Sequence, residues 1–258
     1  EGTQYRLSLW VRAEAGKPGK LTASLRSKDG TLLGSSEVKG RLKSQWRHLE
    51  AIITAEGSDP QAEFVLTAEK PCTMVLDVVS LFPPTFKDRP NGCRRDLAEM
   101  LLAMRPAFVR FPGGCVVEGN IKPENAWHWE RTVGPIERRP GHMNANWGYP
   151  STDGLGFHEY LQLCEDLGAK PLYVVNVGIW HGGCTPIDSL QGWIDECLAA
   201  LEYANGPVTS RYGKMRAANG HPAPFGIAYV EIGNENYNFH LQDNSDQSDH
   251  YPERYRLF

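Results

Sequence analysis

With 258 residues, 41% of them hydrophobic and 22% charged, the chain has the apolar material for one large domain or two ordinary ones. A net charge of −4 and an isoelectric point near 6.1 leave no basic footprint, which argues against nucleic acid as a partner. No apolar run approaches the roughly 20 residues of a membrane span, and no basic amphipathic stretch points to a membrane surface.

The opening residues, Glu1-Gly2-Thr3-Gln4-Tyr5, hold neither an initiator methionine nor an apolar leader and run straight into a strand pattern. The expectation is a cut inside a longer protein, with any secretion signal outside this sequence. Residues 1–83 read as all-β. Tyr5, Leu7, Leu9 and Val11 alternate with polar neighbours, the period of a half-buried strand, and Leu21, Ala23 and Leu25 repeat it. Asp29-Gly30 marks a turn into the next strand. Strand-like runs then follow at 45–55, 62–68 and 73–82. Short strands at this spacing predict a small antiparallel sandwich. Pro83-Pro84 ends the pattern, and residues 86–92 read as a linker or entry loop.

A second regime, 84–258, alternates helical and strand periods. Residues 95–104 place Leu97, Met100, Leu101 and Met104 on one helical face, and 107–114 form a short apolar strand ending in glycines. After a long loop, Tyr160, Leu163, Cys164 and Leu167 repeat at helical spacing before the apolar strand 171–178. Another helix runs through Leu190, Ile194, Cys197, Leu198 and Leu201, with Gly206 at its end. A third apolar strand occupies 227–233. Helices alternating with apolar strands predict a parallel α/β fold. Polar and Gly-rich residues gather after each strand, the habit of (β/α)8 barrels and of doubly wound sheets. No phosphate-loop motif is present, which favours the barrel. Eight strands take about 250 residues and only about 175 follow the sandwich. The expectation is therefore the first part of a (β/α)8 TIM barrel, truncated where residues 248–258 open a helix.

Glu235 follows the third strand directly. A glycosidase acid needs a carboxyl in a partly dry site, so that its pKa rises enough to protonate a leaving oxygen. Asn234 beside it can hydrogen-bond a sugar hydroxyl near the reacting carbon. An Asn-Glu pair alone is common, so position carries this reading. Glu231 lies inside the strand, and the preferred reading pairs it structurally with a basic residue such as Arg110. Gly113-Gly114 either lets backbone approach a ligand or makes a tight turn. Trp147 and Trp180 lie on Gly-rich loops, as sugar-stacking rings or as loop anchors. Trp10 and Trp46 read as core or sheet-surface residues rather than a sugar platform. Cys72, Cys93, Cys115, Cys164, Cys184 and Cys197 follow no Cys-x-x-Cys spacing and the eight histidines no ligand motif. Free thiols, no metal and no cofactor are predicted.

Phe108 to Asn120 (FVRFPGGCVVEGN), the long stretch through GPIERRPG and NWGYPSTDGLGFHEYLQLCEDLGAKPLYVVNVG, and YVEIGNENYN resemble the family 51 α-L-arabinofuranosidases of the eukaryotic-like branch. The resemblance covers about residues 86–258. It implies a retaining glycoside hydrolase on a barrel, releasing terminal α-L-arabinofuranosyl residues from arabinose-containing polysaccharides. It further implies that Glu235 is the catalytic acid/base, that Asn234 binds ring hydroxyls, and that Gly114, Cys115 and Trp147 lie against the sugar. Residues 1–83 are similar, more loosely, to the carbohydrate-binding-module-like sandwich of that branch. The nucleophile, a second Glu, would follow Phe258, so this chain by itself is expected to have no useful turnover. An extracellular or periplasmic home suits the substrate. The alternatives are another glycosidase on the same scaffold, such as a β-xylosidase or endoglucanase, or a non-catalytic glycan-binding protein. The sequence does not give the oligomeric state.

Overall fold

The structure, a computed structural model, describes residues 2–236 and 250–258. The chain divides into two compact units, Glu1–Leu97 and Ala98–Phe258.

In the first unit, β1 (Gln4–Gly16) pairs antiparallel with β4 (Arg47–Thr54) and β6 (Cys72–Phe82). A second antiparallel sheet has β2 (Leu21–Arg26) between β3 (Leu32–Glu37) and β5 (Glu63–Ala68). Alternation sends Leu7, Leu9 and Val11 from β1 into one core with Leu21 and Ala23 from β2 and Leu49 and Ile53 from β4. Burying each of these leucine, valine and isoleucine side chains contributes about 1.5–3 kcal/mol. The predicted turn joins β2 to β3, where Gly30 has φ +89° and the Asp29 carboxylate accepts the Thr31 N–H at 2.9 Å. Trp10 lies on the outward side of β1 against His48, with ring centroids 5.4 Å apart, and Arg12 sits over the exposed Trp46 ring. Both tryptophans are thus sheet-surface residues. The expected linker is a closed loop in which Thr85 bridges Arg94 and Phe86 is buried.

In the second unit, α1 (Arg95–Met104, which begins within the first unit) precedes β7 (Phe108–Phe111), a single helical turn α2 (Cys115–Glu118), and a hairpin of β8 (His142–Asn144) and β9 (Tyr149–Ser151). Next come α3 (Phe157–Leu167), β10 (Lys170–Val175), a second hairpin of β11 (Ile179–Trp180) and β12 (Gly183–Cys184), α4 (Gln191–Asn205), α5 (Arg211–Ala218), β13 (Tyr229–Ile232) and α6 (Tyr251–Leu257). The sheet order β7-β10-β13 is parallel and follows the chain, so each strand returns through helices to lie beside the last. Phe111, Tyr173 and Val175 face a core shared with Phe157, Leu161, Cys164, Ala200 and Tyr203 of α3 and α4. Arg110, Leu172, Val174 and Glu231 share the opposite face by register.

Two helical readings shift. The predicted stripe of α3 holds at Cys164 and Leu167, which are buried, while Tyr160 and Leu163 are half-buried and Phe157 and Leu161 fill the core in their place, because the aromatic core draws in Phe157. The apolar face of α1 is exposed at Met100, Leu101 and Met104, and Ala98 is its buried residue. The long loop before α3 is organised by Arg139. Its guanidinium donates to Glu159 at 2.7 Å and to the carbonyls of Gly134, Asp153 and Gly154.

Candidate functional site

Strand β7 ends at Phe111, and the cis Phe111–Pro112 peptide leads into Gly113 and Gly114, with φ of +68° and +60°. A Cβ on Gly113 would stand 2.8 Å from Arg110 Nη1, so glycine is what lets the turn pass that guanidinium. The turn delivers Cys115 and Glu118, three residues apart on α2 and therefore on one side of it.

Strand β13 delivers the other half. The Gly233 N–H extends the parallel ladder to Val175 O at 2.8 Å, and the chain then curls through Asn234, Glu235 and Asn236. Asn234 is 2% exposed. Its Oδ1 accepts from Arg110 Nη2 at 2.6 Å, and its Nδ2 donates to Glu118 Oε2 at 3.3 Å. Asn236 accepts the Asn234 N–H at 3.0 Å and donates to Glu118 Oε1 at 3.3 Å. Glu235 sits between them at φ +49° with an exposed side chain, a left-handed conformation that non-glycine residues seldom adopt. From the β11–β12 turn, His181 Nε2 comes within 3.3 Å of Glu118 Oε2.

Glu118 is the titratable centre of this cluster. It is 1% exposed, and its carboxyl is pushed up to about 7, first by burial and then by the charge of Glu235. The Asn234 and Asn236 hydrogen bonds and the Arg110 charge oppose that rise. Burial also lowers His181, which Glu235 partly counters, and raises the Cys115 thiol, which Glu118 and Glu235 push further. Beside the cluster, Arg110 donates twice to Glu231 at 2.6 Å and is held more firmly protonated by it.

Glu235, Asn234, Cys115 and Gly114 therefore lie around one strand-end cluster. Trp147 lies on the β8–β9 turn and is 66% exposed, and the neighbouring Asn146 donates to Cys115 O at 2.9 Å. The Arg110–Glu231 pairing is present, although both partners are half-buried rather than buried. Glu235 is exposed in this chain, and the buried carboxyl of the cluster is Glu118. Its only sequence signal is its place four residues after the second glycine of the turn. Asn234 is occupied at both ends, which leaves one N–H and one carbonyl lone pair for a ligand. Tyr237 and Asn238 of the YVEIGNENYN segment lie outside the described residues. All six cysteines are free thiols. The sequence reading predicts no metal ligands, yet folding brings Cys115 Sγ, a Glu118 oxygen and a His181 nitrogen within 4.8 Å of one another.

Carboxylates, amides and an aromatic loop at the carboxyl ends of parallel strands suit chemistry on glycosidic bonds. The comparisons with known proteins name the family. Residues 100–258 match the family model described as the alpha-L-arabinofuranosidase 1 domain, and the chain belongs to this family of glycoside hydrolases. It is 39% identical over 238 residues to alpha-L-arabinofuranosidase 1 of Arabidopsis thaliana, with 91% of this chain and 34% of that protein covered. It is 39% identical over 251 residues to the extracellular exo-alpha-L-arabinofuranosidase of Streptomyces chartreusis, covering 91% and 30%. Among solved structures, the arabinose-bound MgGH51 α-L-arabinofuranosidase superposes with a TM-score of 0.88 at 35% identity, over 99% of this chain and 41% of that one. The chain thus spans about a third of the length of the curated relatives it matches.

Proposed function

We propose that the protein to which this chain belongs is a retaining exo-acting α-L-arabinofuranosidase in which Glu235 is the acid/base. The observation that carries this reading is the position of Glu235, directly after β13, exposed to an incoming ligand and flanked by the fixed amide of Asn234. In the first step the Glu235 carboxyl gives its proton to the leaving glycosidic oxygen as a carboxylate nucleophile takes the anomeric carbon. In the second, the Glu235 carboxylate removes a proton from water, which displaces the enzyme ester with overall retention. Neither other carboxylate of the cluster suits the nucleophile: Glu231 is locked by Arg110, and Glu118 is buried with its neutral form favoured. The resemblance assigns the nucleophile to a later segment, so this chain alone should not turn over.

Asn234 and Cys115 would contact the arabinosyl ring, with Gly114 and Trp147 at its edge. A (β/α)8 barrel is supported by the chain-ordered parallel strands and by the open sheet face, where Phe108 and Tyr229 are 55% and 57% exposed. Further strands would cover those residues. The first unit would be the carbohydrate-binding-module-like partner of the barrel. Secretion accords with an extracellular relative and a polysaccharide substrate.

The deciding experiment is hydrolysis of an aryl α-L-arabinofuranoside by the product of the complete reading frame, with this chain alongside. Activity in the complete protein alone supports the reading. Absence of activity there sinks it, and turnover by this chain would refute the later nucleophile.

A further inference from the structure

Cys115 and Glu118 leave α2 on one side, and His181 reaches them from the turn between β11 and β12. Their three donor atoms lie within 4.8 Å of one another, and the His181 Nε2 to Glu118 Oε2 separation is 3.3 Å. A sulfur, an imidazole nitrogen and a carboxylate oxygen make a mixed set that suits Zn²⁺, whereas Mg²⁺ and Ca²⁺ take shells of oxygen. We propose that Cys115, Glu118 and His181 bind a thiophilic divalent cation of the zinc class.

Bonds of about 2.0–2.3 Å to a tetrahedral ion place its donors roughly 3.3–3.8 Å apart. None of the three separations exceeds 4.8 Å, so the widest must close by no more than about 1–1.5 Å on that geometry, which side-chain rotation within the cluster can supply. Cys115 and His181 are half-buried, so the cluster opens toward solvent on their side. An ion can enter there, and a water can take the fourth position. Asn234 and Asn236 donate to the two Glu118 oxygens from behind, an outer layer that fixes the orientation of a ligating carboxylate. No linear motif announces the site because its ligands come from segments more than sixty residues apart. A bound ion would share Glu118 with Asn234 and so compete with a sugar. That consequence rests on the functional reading above, whereas metal binding does not.

The test uses the purified chain, stripped with chelator under reducing conditions and titrated with Zn²⁺ by calorimetry. A parallel titration with Cd²⁺ follows the ultraviolet thiolate-to-metal charge-transfer band. One equivalent of Zn²⁺ is expected. Cys115→Ser should abolish the Cd²⁺ band, and His181→Ala should weaken Zn²⁺ by at least about tenfold. Unchanged circular dichroism and melting of the near-isosteric Cys115→Ser chain separate a lost site from a lost fold. Two results overturn the proposal: no binding by the folded chain, or binding that both substitutions leave untouched. Every readout is metal binding, so failure of the arabinofuranosidase reading leaves it intact.

Discussion

Arg110 and Glu231 meet across three parallel strands. Nε donates to Oε2 and Nη2 to Oε1, both at 2.6 Å, with β10 between their strands. The same Nη2 reaches Asn234 Oδ1 at 2.6 Å. A bidentate pair fixes planes as well as charges, so the guanidinium both ties β7 to β13 and orients the amide next to Glu235.

Removing one partner tests that coupling. Glu231→Gln keeps the shape but leaves Arg110 without its counter-charge. The two side chains are 35% and 32% exposed, so water screens part of the loss, and about 1–2 kcal/mol of stability should go. Arg110→Met should cost more, because it also strands the Asn234 carbonyl. Urea unfolding of this chain reads both. A midpoint in Arg110→Met equal to that of the unsubstituted chain would mean that the pair does not hold the strand ends together.

How much of this was legible before folding depends on how local each signal is. Alternation in β1 and β2 sent Leu7, Leu9, Val11 and Ala23 inward as expected, because a two-residue period leaves one choice of face. The pairing of Arg110 with Glu231 could be anticipated because both lie within apolar strands, where a lone charge is costly. Glu118 could not be. Its burial comes from the turn at Gly113-Gly114 folding α2 against the loop after β13, a contact between residues 116 positions apart. The α3 stripe held at Cys164 and Leu167 but was incomplete at its start for a similar reason: the aromatic core of Phe111, Trp129, Tyr173 and Tyr203 draws in Phe157, which no helical period within α3 reveals.

Glu118 makes a pH prediction with a definite sign. Its folded-state value, about 7, is raised above the ordinary 4.5, so the folded state holds the proton more tightly than the unfolded chain. The stability it contributes is complete below about pH 4.5 and is lost as pH rises to about 7, by an amount on the order of 3 kcal/mol. Glu118→Gln cannot ionise. The stability of the variant relative to the parent chain should therefore rise across that window and level off above it, in metal-free urea titrations at stepped pH. A difference that stays flat from pH 4.5 to 7 would contradict a buried, proton-holding Glu118.

The two glycines before α2 separate steric crowding from backbone strain. At Gly113 an added Cβ meets Arg110 Nη1 at 2.8 Å, while at Gly114 nothing lies within 4 Å. Gly114 nevertheless has φ 60° and ψ −161°, a region almost closed to residues with a side chain, at about 1–3 kcal/mol. Gly114→Ala should lose that much through strain alone. Gly113→Ala should lose stability and also shift Arg110, so its effect and that of Glu231→Gln should fall short of additive. A double-mutant cycle in thermal or urea unfolding decides this, and strict additivity would separate Gly113 from the Arg110 pair.

The role given to Glu235 predicts different damage in the two steps of the reaction. An aryl leaving group of low basicity departs without a proton, so glycosyl transfer to the nucleophile should survive Glu235→Ala in the complete protein. Attack by water on the glycosyl-enzyme needs the missing base and should slow by roughly a hundred- to ten-thousand-fold. Azide, a nucleophile that needs no deprotonation, should then restore turnover and yield an arabinofuranosyl azide with the substrate's own anomeric configuration. On arabinan, whose leaving group does need the proton, azide should restore nothing. Glu235 is exposed at φ +49° next to the fixed Asn234 amide, and the proposed role requires both the glycosidic oxygen and the incoming water to reach its carboxyl. Near-normal arabinan hydrolysis by Glu235→Ala would remove Glu235 from the mechanism, whatever the fate of the rest of the cluster.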